Sequence, residues 1–155
     1  MKKKFVIIFF FLCIIWSLQG HLYAQSTSSE LTARAVAIHQ SVTTIDSHTD
    51  TPLRMLSAGF DLSQKHDPRT EYTKVDFPRM RDGGLDAAFF AVFVSQGPRN
   101  PEGYEKVKKR ALQLFDTIDA ALRKNPVDAG LAVSPEEIVA FEKEGKRAIL
   151  IGVEN

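Results

Sequence analysis

Two nearly continuous apolar stretches, Leu85–Val94 and Ala148–Val153, constrain the fold more than any other feature of the sequence. Runs of this kind predict strands that are buried on both faces, as in a parallel sheet covered by helices. Between them, apolar residues recur at helical spacing over Tyr104–Leu122, and a capping box and a glycine stop delimit a second helix within Ser134–Gly145. The chain therefore alternates strands with helices.

An earlier strand is predicted over Thr43–Asp50, where a β-branched run leads into polar residues and stops at Pro52. A short amphipathic helix, Leu31–Val42, precedes it. The segment Gly59–Asp82 is long, charged and mostly irregular, with one helix start at Asp76. Three strands are thus expected in an α/β protein with right-handed crossovers, either a doubly wound sheet or a (β/α)8 barrel.

The first residues have the layout of a secretion signal. Lys2–Lys4 form a positive segment, Phe5–Leu18 form an apolar segment, and Ala24 is the small residue after which a signal peptidase would cut. We expect residues 1–24 to be a signal peptide and residues 25–155 to be the exported chain, in a periplasmic or extracellular location. The apolar segment is shorter than the roughly 20 residues of a membrane-spanning helix, so no stable transmembrane anchor is expected.

Composition narrows the chemistry of the exported chain. The one cysteine, Cys13, lies in the predicted signal peptide, so neither a disulfide nor a cysteine-held metal site is expected. Removal of the three lysines of the signal changes the formal net charge from 20 − 19 = +1 to 17 − 19 = −2, without long runs of one sign. This charge gives no indication of nucleic-acid binding. Any metal would be held by His, Asp or Glu.

Polar residues that could hold a metal follow two of the predicted strands. His48 and Asp50 end the first strand with Asp46 one step behind, and strand alternation predicts that all three lie on the same side. Glu154 directly follows the last strand. The carboxyl ends of strands form the ligand-binding edge of α/β folds, and an imidazole with carboxylates suits zinc. Taken singly, His48 is also explained by local hydrogen bonding and Glu154 by a solvated loop.

Three separated segments resemble the membrane dipeptidase family. Ile45–Pro52 resembles the signature in which His-x-Asp closes the first barrel strand. Asp76–Leu85 resembles the family's approach to its second strand, and Ile149–Glu154 is similar to the strand that carries a metal-bridging glutamate. The three motifs occur in the family's order, and the similarity runs from Ala37 to the last residue.

The resemblance implies a fold and a function. The fold would be α/β, the N-terminal part of a metal-dependent hydrolase (β/α)8 TIM barrel truncated after about the third strand. The complete protein would hydrolyse dipeptides with two zinc ions, and the resemblance allows for a homodimer. His48 and Asp50 would bind one zinc, Glu154 would bridge it to the second, and a hydroxide between the ions would attack the peptide carbonyl. The catalytic residues would lie beyond residue 155, so residues 25–155 alone are expected to be inactive and unstable.

Some residues depart from the family pattern, and two other functions stay open. Ser47, Thr49 and Asn155 stand where many members have Gly, Asn and Gly, respectively. His39 and His66 match no ligand motif and are interpreted as surface residues. Another metal hydrolase of the amidohydrolase type would usually begin with His-x-His. A secreted, non-catalytic α/β binding module would use the long irregular segment to contact a partner.

Overall fold

The computed structural model describes residues 28–155, so the predicted signal peptide, residues 1–24, lies outside the described residues. The chain divides into one unit that ends at Val42 and a second that runs from Thr43 to Asn155. In the first unit residues 28–40 form a helix, α1, as predicted. The second unit contains β1 Ile45–Thr49, α2 Thr51–Met55, α3 Phe77–Gly83, β2 Ala87–Phe93, α4 Pro101–Lys124, β3 Ala129–Leu131, α5 Pro135–Lys143 and β4 Arg147–Glu154.

The four strands form one parallel sheet in the order β1, β2, β4, β3. β2 and β4 pair without interruption, from Ala87 opposite Ala148 to Phe93 opposite Glu154. Parallel strands need crossover connections, and the helices between the strands supply them. The prediction of an α/β fold with a parallel sheet is confirmed, and the carboxyl ends of the strands lie along the same edge.

The sheet has four strands where the sequence predicted three. The additional strand, β3, has only three residues and includes Gly130, so its pattern is too short to show a period. It forms by pairing with the start of β4, where Ala129 lies opposite Arg147. A side chain at Gly130 would overlap the ring of Phe141. The strand therefore depends on tertiary packing, which its three residues alone do not predict.

Two helices begin at the capping residues that the sequence contains. Asn100 caps α4 by accepting a hydrogen bond from the Gly103 amide at 2.8 Å, and the Ser134 hydroxyl caps α5 by accepting one from the Glu137 amide at 3.3 Å. The predicted capping box is modified, because the Glu137 carboxylate accepts from the Val133 amide at 2.6 Å rather than from the cap residue itself. No helix within residues 28–155 combines the length and the apolar surface needed to cross a membrane.

Helices pack against both faces of the sheet, one of them more extensively than the other. On one face α3 and α4 complete a core with β2 and β4, whose largest buried members are Phe77, Met80, Phe90, Leu114, Ile118 and Ile149. On the other face Ile138 of α5 packs with Ala87, Ala132 and Ala148. Burying each large apolar side chain stabilises the fold by about 1.5–3 kcal/mol. Because alternate residues of β2 face opposite clusters, this strand is buried on both faces, as its apolar run predicted.

A partly buried ion pair joins the amino ends of three strands. Arg147, at the start of β4, donates from Nη1 to Asp86 Oδ1 at 3.0 Å and to the Leu85 carbonyl at 3.2 Å. The second carboxylate oxygen of Asp86 accepts from the Thr44 amide at 2.9 Å, immediately before β1. This pair therefore fixes β1, β2 and β4 relative to one another at the edge opposite their carboxyl ends.

A polar network ties the long segment between α2 and β2 to the core. Asp76 is fully buried, caps α3 through the Arg79 amide at 2.8 Å, and accepts from the His66 amide at 3.0 Å. The interpretation of His66 as a surface residue is wrong, since it is 8% exposed and stacks on Phe60 with ring centroids 4.5 Å apart. His39 is exposed, as expected. Local sequence could not reveal the burial of His66 because Asp76 is ten residues away.

Candidate metal centre

The polar ends of β1 and β4 meet at one edge of the sheet. His48 is the fourth residue of β1, Asp50 follows that strand directly, and Glu154 is the last residue of β4. β2 lies between the two strands, and its last residue, Phe93, pairs with Glu154. The structure thus brings together the three residues that the sequence singled out as metal ligands.

Potential ligand atoms of the three side chains converge. His48 Nε2 lies 3.5 Å from Asp50 Oδ1 and 3.8 Å from Glu154 Oε1, and one such atom from each residue falls within 4.8 Å of the other two. Zinc binds nitrogen and oxygen at about 2.0–2.2 Å, so ligands at tetrahedral angles lie about 3.4 Å apart. The three residues therefore fit a zinc ion after side-chain movements on the order of 1 Å.

The site is open to solvent and acidic. The side chains of His48 and Glu154 are 48% and 47% exposed, and that of Asp50 is 62% exposed. Two carboxylates thus approach a single imidazole, and a bound cation would relieve the repulsion between them. The exposure of all three side chains gives a metal ion a path into the site.

A β-bulge in β1 sets the direction of His48. Asp46 pairs with Ala88 and Thr49 pairs with Phe90, so three steps along β1 match two steps along β2. The His48 amide, within the bulge, donates to Asp46 Oδ1 at 3.0 Å. Asp46 and Thr49 therefore share one face of the sheet, and the prediction that Asp46 lies on the same side as His48 is wrong. Strand alternation alone could not reveal the bulge, because it is a property of the pairing.

Buried threonines hold the backbone on either side of Asp50. Thr49 and Thr51 are each 5% exposed, and their hydroxyl oxygens lie 2.8 Å apart in a hydrogen bond. The Asp50 side chain makes no capping bond to α2, although the residue occupies the N-cap position. Its carboxylate is instead directed to His48. Thr49, which departs from the family pattern, is thus buried and helps to hold the backbone at Asp50.

Asn155 links the end of β4 to the segment that follows β2. Its side-chain amide donates to the Val94 carbonyl at 3.1 Å, and its own carbonyl accepts from Gln96 Nε2 at 3.3 Å. The Val94 amide also donates to the Glu154 carbonyl at 3.2 Å. These bonds hold the backbone around Glu154 on both sides of the residue. From the sequence Asn155 is only a departure from the family pattern, since its partners lie far earlier in the chain, in the segment that follows β2.

Solved dipeptidase structures share this fold. The probable dipeptidase PvdM from Pseudomonas aeruginosa matches with a TM-score of 0.68 at 20% sequence identity, over 81% of this chain and 31% of that chain. Dipeptidase AC, a metallopeptidase of family M19, matches with a TM-score of 0.59 at 21% identity, over 74% of this chain and 35% of that chain. A metallopeptidase from Rhodobacter sphaeroides was solved with a phosphinate mimic of the dipeptide L-Ala-D-Ala. It matches with a TM-score of 0.54 at 18% identity, over 74% of this chain and 38% of that chain.

The present chain therefore spans about a third of the length of the first two of these structures, and its sheet corresponds to part of their (β/α)8 barrel. The model of one protein family, the membrane dipeptidases of peptidase family M19, matches residues 32–155. That match includes all four strands and the three converging side chains, and it confirms the resemblance found in three separate motifs. The chain belongs to the membrane dipeptidase family, peptidase family M19.

Proposed function

We propose that this chain supplies part of the metal centre of a zinc-dependent dipeptidase. Membership in family M19, a family of metallopeptidases, implies a metal cofactor. In the proposed centre His48 and Asp50 bind one zinc ion, and Glu154, which has two carboxylate oxygens, bridges that ion to a second. The observation that carries the proposal is the convergence of the three side chains within 4.8 Å at the carboxyl edge of the sheet.

The donor set favours zinc over the commoner hard cations. Magnesium and calcium prefer sites made of oxygen atoms alone, whereas zinc accepts an imidazole nitrogen together with carboxylates. Catalytic zinc sites also keep a coordination position open for water or substrate. The half-exposed side chains of His48 and Glu154 are consistent with that need.

Zinc bound here would supply an ionised water as the nucleophile and would polarise the scissile peptide carbonyl. The part played by this chain is to hold the ligands in place. Pairing with β2 fixes the backbone at Glu154, and the buried hydroxyls of Thr49 and Thr51 fix the backbone around Asp50. A dipeptide substrate is supported by membership in the membrane dipeptidase family.

The proposal is tested by removing ligands from the full-length protein. Glu154→Gln and His48→Ala should each lower the zinc content, measured by inductively coupled plasma mass spectrometry, and abolish hydrolysis of a dipeptide such as L-Ala-D-Ala. Glu105→Gln is the matched control, because Glu105 is an exposed carboxylate on α4 whose side chain pairs only loosely with Lys108 at 4.0 Å. This control should keep both zinc and activity.

Near-normal turnover by Glu154→Gln with two zinc ions still bound would contradict the assignment. Two further outcomes distinguish the other functions that the sequence left open. A zinc-containing protein that cleaves other amides but no dipeptide would favour a metal hydrolase of the amidohydrolase type. A wild-type protein that binds no zinc would favour a non-catalytic binding module.

A further inference from the structure

We propose that the β-bulge in β1 turns the His48–Asp50 pair towards Glu154, and that Asp46 is the positioning residue that maintains the bulge. The inference rests on the proposed metal centre, and it adds to that centre a residue that binds no metal itself. It is carried by two observations, the strand register and the hydrogen bond from the His48 amide to Asp46 Oδ1 at 3.0 Å.

The register shows what the bulge achieves. Residues that pair across a parallel sheet lie on the same face, and successive residues of a strand lie on opposite faces. Glu154 pairs with Phe93, an odd number of steps from Phe90, so Glu154 and Phe90 face opposite sides of the sheet. Phe90 is fully buried in the core beneath α4. The metal centre is therefore on the face opposite that core.

Without the bulge His48 would face the wrong side. Asp46 pairs with Ala88, so a regular strand would pair His48 with Phe90 and direct the imidazole into the core, away from Glu154. In the structure the extra residue lets Thr49 take the position opposite Phe90, and Thr49 is 5% exposed. The alternation is thereby reversed, and His48 lies on the face of Glu154.

The carboxylate of Asp46 gives the bulge a partner for its displaced amide. An extra residue in a strand disrupts the ladder locally, and here that residue is His48, whose amide lies in an exposed part of β1. Asp46 reaches forward two residues and accepts from that amide. The converging ligand atoms belong to His48, Asp50 and Glu154, and Asp46 is not among them. Its role is therefore to position His48.

The test measures metal affinity in the full-length protein. Apo-protein is titrated with Zn²⁺ against a chelator of known affinity, and with Co²⁺, whose visible spectrum reports the ligand geometry. Asp46→Ala should weaken zinc binding by about 10- to 100-fold, the effect typical of residues that orient metal ligands, and should change the cobalt spectrum. Asp46→Asn should stay within about threefold of wild type, because its amide oxygen can still accept the bond.

Asp67→Ala is the matched control. Asp67 also accepts from an amide two residues ahead, that of Arg69 at 2.9 Å, but this bond is exposed and Asp67 is not one of the residues whose ligand atoms converge. This variant should bind zinc like wild type. If Asp46→Ala does not fold, Asp46→Glu makes the same test, because the longer side chain keeps the charge but displaces the acceptor, and it should also lose affinity.

Two results would overturn the inference while leaving the proposed function intact. One is wild-type zinc affinity in Asp46→Ala, and the other is an equal loss in Asp46→Asn and Asp46→Ala, which would indicate that Asp46 is itself a ligand. His48→Ala in the same titration separates the two proposals. If His48→Ala binds zinc like wild type, the proposed metal centre is wrong. Asp46 then has no metal ligand to position, so its proposed role is wrong as well.

Discussion

Replacement of Asp76 by Asn should destabilise the protein more than replacement of any other carboxylate between α2 and α3 by its amide. Oδ1 of Asp76 accepts from the Arg79 amide at 2.8 Å, and Oδ2 accepts from Arg79 Nε at 2.6 Å and the His66 amide at 3.0 Å. Asn keeps one acceptor and puts an NH₂ group in place of the other. Arg79 Nε and the His66 amide would then both point at an NH₂ group, which cannot accept their hydrogen bonds. Water does not reach this buried site to take its place.

The magnitude follows from these contacts. Hydrogen bonds to charged groups contribute about 1.5–3 kcal/mol each, and breaking a buried ion pair on one side costs about 3–5 kcal/mol. Asp76 is fully buried and the Arg79 side chain is 19% exposed, so solvent can replace little of what is lost. The hydrogen bond from Arg79 Nε and the ion pair between Arg79 and Asp76 are the same contact, so their contributions overlap. We expect a loss of about 3–5 kcal/mol in the free energy of unfolding.

Urea unfolding of the full-length protein, followed by circular dichroism at neutral pH, measures this loss. Asp67→Asn is the control, because Asp67 makes the same kind of bonds to Arg69, to its amide and to its guanidinium group, but the Arg69 side chain is 86% exposed. Asp67→Asn should lower the free energy of unfolding by only a small fraction of the decrease caused by Asp76→Asn. Equal losses in the two variants would refute the reasoning that burial decides the cost.

The stability difference between wild type and Asp76→Asn should also depend on pH. Burial raises the pKa of Asp76, but bonds from the His66 and Arg79 amides and from the Arg79 guanidinium outweigh it, so the pKa lies below its ordinary value. A depressed carboxyl pKa stabilises the folded state above the unfolded pKa of about 3.9, and this contribution fades as the pH falls through the folded value. The stability gap between wild type and Asp76→Asn should therefore narrow below about pH 4.

Three other predictions concern separate parts of the chain. Gly103→Ala should cost about 1–3 kcal/mol in urea unfolding, because the added Cβ would overlap the Pro98 carbonyl oxygen. The bond from Lys124 is the main cause that lowers the pKa of Asp61 to about 2, so Lys124→Met should raise that pKa towards 3.8 in an NMR titration and reduce stability above about pH 4. Mass spectrometry of exported protein should find Gln25 as the first residue, and retention of Met1 would contradict the signal peptide.

The sequence predicted the convergence of the candidate ligands because it follows from rules that need no coordinates. His48, Asp50 and Glu154 each stand at the carboxyl end of a predicted strand, and parallel strands align those ends. Long apolar or periodic segments, such as β2 and α4, were likewise found with small errors at their ends. The apolar or periodic pattern that predicts each of these elements lies within the element itself.

What the sequence missed depends on partners that are distant in the chain. The bulge at His48 exists only relative to β2, and β3 exists only because it pairs with the start of β4. His66 looked like a surface residue in a charged loop, yet Phe60 and Asp76 bury it. No periodicity in a single sequence encodes such pairings, and the role of Asp46 was hidden for the same reason.

Locating the metal tests the central claim most directly. Crystals of the full-length protein grown with zinc, with diffraction data collected on both sides of the zinc absorption edge, would show where the ion binds. We expect an anomalous peak about 2.0–2.2 Å from His48 Nε2 and from a carboxylate oxygen of Asp50. Glu154 should bridge that peak to a second one, about 3.5–4 Å away. Zinc peaks elsewhere in the molecule, with His48, Asp50 and Glu154 bound to no metal, would contradict the proposed centre.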